Sequence, residues 1–109
     1  NTKVSFTGKG FAPYELFLGG FASCLHATFM GIANKRRLKY ESVIYQVSGE
    51  KREEVPTLLK YVKTTVTATG VEEKDQKKFI KSMEQAETYC SISATIKMIA
   101  ETEFEINFE

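Results

Sequence analysis

Cys24, in Phe21-Ala-Ser-Cys-Leu25, and Cys90, in Tyr89-Cys-Ser-Ile-Ser93, are the only thiols in the chain. A thiol attacks a soft electrophile such as a peroxide oxygen as its thiolate, and the sulfenic acid that results needs a second thiol close by to end as a reversible disulfide. Two cysteines are the minimum set for that cycle. The competing reading makes them buried free thiols that pack as small hydrophobes. Their separation of 66 positions leaves the choice open until the fold is known. His26, the sole histidine, lies two residues from Cys24, which is about 200° around a helix, so a cysteine-histidine base pair is geometrically poor. Cys24, His26 and Cys90 together offer only three soft ligands and no closely spaced pair of the zinc type, which argues against a metal site.

Fifteen Lys plus Arg stand against fourteen Asp plus Glu, and a formal net charge of +1 gives no global field to steer nucleic acid or anionic lipid. The basic run Lys35-Arg-Arg-Leu-Lys39 has no interleaved aromatic platform and reads as a solvated helix end. Apolar residues make up 42%, no apolar run approaches 18 residues, and no charged-then-apolar leader opens the chain, so neither a membrane span nor a signal peptide is expected. Two cysteines are too few for a secreted disulfide framework, and a cytoplasmic protein without a cofactor is the expectation. The 109 residues fit one domain with a modest core that an oligomer interface would enlarge. The first residue is Asn1 rather than Met, so the expectation is either a processed chain or an omitted upstream segment, with the N-terminal β-region incomplete.

The elements that must position the thiols follow from periodicity. Thr2 to Thr7 alternates and then meets Gly8 and Gly10, as a strand ending in a turn does. Pro13 suits a first helical turn. Leu16, Phe17, Phe21, Cys24, Leu25, Thr28, Phe29 and Ile32 then recur at helical spacing and predict a central helix over roughly 12–36. Gly19 and Gly20 cost that helix about 1 kcal/mol each relative to Ala, which suggests that another backbone passes close by. Residues 40–49 alternate as a strand, the charged stretch Glu50 to Glu54 with Pro56 connects, and 58–69 is β-branched and alternating, which together give a hairpin. Residues 72–87 read as an amphipathic helix through Phe79, Ile80, Met83 and Ala86. Ser91 to Ala100 is a short helix or a turn, and Thr102 to Phe108 alternates as a final strand. The order is α+β. If Cys90 opens a short helix, its own thiolate is expected to profit from the N–H groups there, while Cys24, in mid-helix, needs another source of stabilisation.

Pro13-Tyr-Glu-Leu-Phe17, Ala22-Ser-Cys-Leu25 and Tyr89-Cys-Ser-Ile-Ser-Ala-Thr-Ile-Lys97 resemble, in order and spacing, the three signature stretches of the OsmC/Ohr superfamily of osmotically inducible and organic hydroperoxide resistance proteins. The resemblance implies an intertwined α+β homodimer with antiparallel sheets and long cysteine-bearing helices in its core. It implies Cys24 as the peroxidatic and Cys90 as the resolving cysteine of a thiol peroxidase that takes organic hydroperoxides and is recycled by a dithiol reductant. It further implies a glutamate at the start of the cysteine helix, here Glu15, that holds an activating arginine from the N-terminal β-region. The chain departs from that pattern twice. No arginine precedes Cys24, Arg36 being the first, and Tyr14 stands where hydroperoxide-resistance members carry the acid, so that Glu15 is turned by about 100°. The alternative expectation is a non-enzymatic stress or small-molecule-binding protein of the same fold.

Overall fold

In a computed structural model that describes residues 12–109, the chain runs α1 (Pro13–Lys35), β1 (Ser42–Lys51), β2 (Leu59–Thr69), α2 (Glu73–Tyr89), α3 (Ser91–Lys97) and β3 (Glu101–Phe108). The strand expected over 2–7 lies outside the described residues. The long helix begins at Pro13, whose missing N–H is no loss in a first turn. Nearby, the Glu15 carboxylate accepts the Ala12 N–H at 2.9 Å. It ends where Arg37 turns left-handed, with φ 53°. Leu18, Phe21, Leu25, Phe29 and Ala33 form its buried stripe, spaced by three or four residues.

The three strands form one sheet in the order β1-β2-β3. β1 and β2 are the expected antiparallel hairpin, with Tyr45 opposite Val66. β2 and β3 pair in parallel, with Val66 opposite Ile106, so the described sheet is mixed and the expectation of purely antiparallel sheets is corrected. The cause is the connection. α2 and α3 carry the chain back to the starting end of β2 before β3 begins, which is what a crossover helix does between parallel strands.

Both helical layers cover one face of the sheet. That face supplies Val62, Thr64, Val66 and Ala68 from β2 as every second residue, and Leu59 beyond a register shift, with Phe104, Ile106 and Phe108 of β3 half-buried beside them. Phe29, Phe79, Tyr40 and Phe108 stack edge-on or tilted at centroid distances of 5.0–5.5 Å and lock α1, α2 and the sheet together. Each such ring, wholly buried as Phe29 and Phe79 are, contributes about 1.5–3 kcal/mol by burial alone.

By length and composition α1 is apolar enough to cross a membrane, whereas no such run is expected from the sequence. It packs against α2, α3 and β1 through the buried stripe. Among the described residues nothing lies within 4 Å of a Cβ built at Gly19 or Gly20, so the close backbone expected there is not one of theirs. The two glycines lie on an exposed strip with Ser23, Ala27, Met30 and Gly31.

Candidate redox site

Cys24 lies midway along α1, one position before the core residue Leu25, and is only partly exposed. Cys90 is the single extended residue between α2 and α3, with φ −69° and ψ 119°. Its N–H donates to Ala86 O at 2.8 Å and its carbonyl accepts Ala94 N–H at 3.0 Å, so one residue closes one helix and opens the next. That geometry drives its side chain inward, where it is 0% exposed. The two sulfurs stand 3.1 Å apart, with the Cys90 S–H donating to Cys24 Sγ. A disulfide needs about 2.05 Å, so closure takes a movement of about 1 Å.

The environment splits the pair. Cys24 is held below the usual thiol value, first by the hydrogen bond from Cys90 and then, against the opposing effect of burial, by the backbone N–H groups of Ile92 and Ser91 and the Thr28 hydroxyl. Cys90 is pushed up, first by burial and then by giving its proton to the Cys24 bond. The α3 N-terminus does favour the Cys90 thiolate, as expected, through the N–H groups of Ser93 and Ile92, but burial outweighs them. The N–H groups of Ile92 and Ser91 at the same helix start also serve the Cys24 sulfur. Among the described residues no arginine or lysine contributes.

α3 is fixed for this task by Glu87. Its carboxylate accepts the Ser93 hydroxyl at 3.4 Å and pairs with Lys97, tying the last turn of α2 to both ends of α3. Glu87 went unnoticed in the sequence. The signal available was an acid followed at six and ten positions by a hydroxyl and a cation across a helix break, which has no fixed geometry until that break is placed.

Glu15 is not brought to the thiols. It is exposed, its carboxylate is engaged at Ala12, and nine residues of helix put it about 13 Å along the axis and half a turn away from Cys24. It lines instead an open groove among the described residues. This open groove of about 560 Å³ runs between α1 and β1, with Tyr14, Leu18, Tyr45, Val47 and Lys51 also in its walls, and neither cysteine reaches it. His26 also stands apart. Burial pushes the Tyr45 phenol far up, keeping it neutral, and that phenol lies 2.8 Å from His26 Nδ1 as part of the packing between α1 and β1. A smaller groove of about 300 Å³, walled by Ile32, Lys35, Arg36, Gln85 and Tyr89, runs between α1 and α2, and neither cysteine is in its walls.

A mixed three-stranded sheet, a long thiol-bearing helix on one face, and a second thiol at a break between two helices define a two-cysteine α+β domain. The sequence profile of OsmC-like proteins matches residues 6–105, and the chain belongs to that family. Among solved structures it is similar to a hypothetical protein from Aquifex aeolicus VF5, with 26% identity and a TM-score of 0.80 over 93% of this chain and 76% of that one. It also resembles an organic hydroperoxide resistance protein OsmC from Legionella pneumophila, with 19% identity and a TM-score of 0.72 over 92% and 72% of the two chains. A third likeness is to the organic hydroperoxide resistance protein OhrB of Bacillus subtilis, with 21% identity and a TM-score of 0.65 over 91% and 72%. At those identities the last two likenesses speak for the fold. No curated protein matches the chain.

Proposed function

We propose that the chain reduces organic hydroperoxides by thiol chemistry, with Cys24 as nucleophile and Cys90 as resolver. The observation that carries this reading is the 3.1 Å contact between two sulfurs of opposite character, one partly exposed and favoured as thiolate, the other buried and favoured as thiol. The Cys24 thiolate attacks the distal peroxide oxygen. An S–O bond forms, the O–O bond breaks, and the alcohol leaves after taking up a proton. The Cys90 sulfur, giving up its proton, then attacks the Cys24 sulfenic acid and expels water, which closes the Cys24–Cys90 disulfide. A dithiol reductant returns both thiols.

The working unit of this proposal is a cytoplasmic homodimer. Its support is the exposed, largely uncharged strip of α1 from Gly19 to Gly31, on a helix that is apolar on almost every side. Glu15 serves in it by capping the start of the cysteine helix, and the α3 N–H groups supply what a nearby arginine would.

The second reading, a non-enzymatic stress or small-molecule-binding domain, draws on one observation, the lack of any cation in contact with Cys24 among the described residues. Counting free thiols after mixing reduced protein with cumene hydroperoxide separates the two. Rapid loss of both thiols, with Cys24→Ser unreactive, supports the enzyme; thiols that persist under excess peroxide support the other reading.

A further inference from the structure

The oxidised pair has to be opened by an external thiol, and the two sulfurs differ greatly in how they can be reached. Thiol–disulfide exchange is an in-line displacement, so the attacking sulfur must approach its target from the side remote from the bond that breaks. For Cys90 that side is protein. The residue is 0% exposed and belongs to the same core cluster as Leu25, Phe29, Met83, Ala86 and Ile96. For Cys24 solvent is at hand. It is partly exposed on α1, with Thr28, also partly exposed, one turn further along the same face.

Leaving-group ability works in the other direction. The buried Cys90 thiol has the raised pKa, and a sulfur of higher pKa departs more slowly. Two features reduce that handicap. The N–H groups of Ser93 and Ile92 favour the Cys90 thiolate as it forms, and a proton returns it to the neutral state that burial prefers. A leaving-group penalty slows a step, whereas attack on Cys90 requires the core to open first.

We infer that the reductant reacts at Cys24 alone and that Cys90 is the leaving group; this rests on the reading of the two cysteines as a redox pair. The donor thiolate bonds to Cys24 Sγ, the Sγ–Sγ bond breaks, and the electron pair departs on Cys90 Sγ, which takes up a proton. The second thiol of the donor then attacks the donor sulfur of this mixed disulfide, forms the donor's own disulfide and releases the Cys24 thiolate. Two electrons pass from dithiol to protein. One sulfur thus meets both peroxide and reductant, and the two halves of the cycle exclude each other in time.

The test needs no peroxide. Protein oxidised with diamide is mixed with 2-mercaptoethanol, quenched rapidly with acid, capped with N-ethylmaleimide and mapped by peptide mass spectrometry. The expected product carries mercaptoethanol on Cys24 and maleimide on Cys90, in at least about tenfold excess over the reverse. The reverse pattern, or an even mixture, overturns the inference. As a second measurement on folded single-thiol variants, Cys24 in Cys90→Ser should react with 4,4′-dithiodipyridine at least about tenfold faster than Cys90 in Cys24→Ser. Equal rates would overturn it as well. Failure of the hydroperoxide reading would show instead as thiols inert to cumene hydroperoxide, with the site of exchange unaffected.

Discussion

Ser91 contributes to Cys24 through its backbone alone, which makes its N–H removable without altering a side chain at the site. It is the first residue of α3, where proline is well accommodated, and Cys90 before it already has the extended backbone that a following proline requires. Ser91→Pro should therefore keep the fold and lose one donor to the thiolate. The expected outcome is alkylation of Cys24 by iodoacetamide that is roughly three- to tenfold slower at pH 7, with its pH midpoint moved upward. Cys90→Ala, which removes the first cause of the lowering, should move the same midpoint in the same direction. A midpoint that stays put in both variants would mean that neither donor matters. At this scale the sequence singled out Cys24 and Cys90 but not their relation. It did not show that the N–H groups of the α3 turn would serve Cys24 as well as Cys90, because that follows from the one-residue break at Cys90 and from how α1 crosses it.

The elements were legible where a period repeats and opaque where a neighbour must be chosen. Pro13 and the apolar stripe from Phe17 to Ile32 gave α1 to within a residue or two, and alternation in 102–108 gave β3 to within one. Alternation states which face of a strand is buried and is silent on which strand lies beside it, so the parallel pairing of β3 with β2 could not be read. Glu15 illustrates a related limit, since a helix start was visible while its carboxylate's engagement at Ala12 was not. The junction of α1, α2 and sheet that holds the site rests on Phe79, which touches the rings of Phe29, Tyr40 and Phe108. Phe79→Ala should cost about 3–5 kcal/mol in urea unfolding. A loss below about 1 kcal/mol would show that the aromatic junction relaxes around the gap and is not what fixes α2 against α1.

At the scale of the whole molecule, the open strip at Gly19 and Gly20 gives the proposed dimer a quantitative test. In an isolated chain these positions have free space, so Gly19→Ala should stabilise the helix by about 0.5–1 kcal/mol. A larger side chain also fits an isolated chain but not a strip closed by a second copy. Gly19→Leu is expected to weaken self-association in sedimentation equilibrium by at least about tenfold, the consequence of overpacking a tight contact by 1–3 kcal/mol. Unchanged association would remove that strip from the dimer interface. Net charge and composition in the sequence said only that no strong field opposes association; which surface is left uncovered became visible once α1 had been packed on one side.

The crossover from β2 to β3 sets an order of events for a chain made from its N-terminus. Cys24 emerges from the ribosome long before Cys90, and the second thiol arrives on a connection whose far anchor, β3, is synthesised after both thiols. Until Glu101 to Phe108 has emerged and paired with β2, α2 and α3 lack the support that holds Cys90 beneath Cys24. The meeting of the two sulfurs is thus coupled to synthesis of β3, and a polypeptide stalled before that strand would lack the contact on which the proposed chemistry depends.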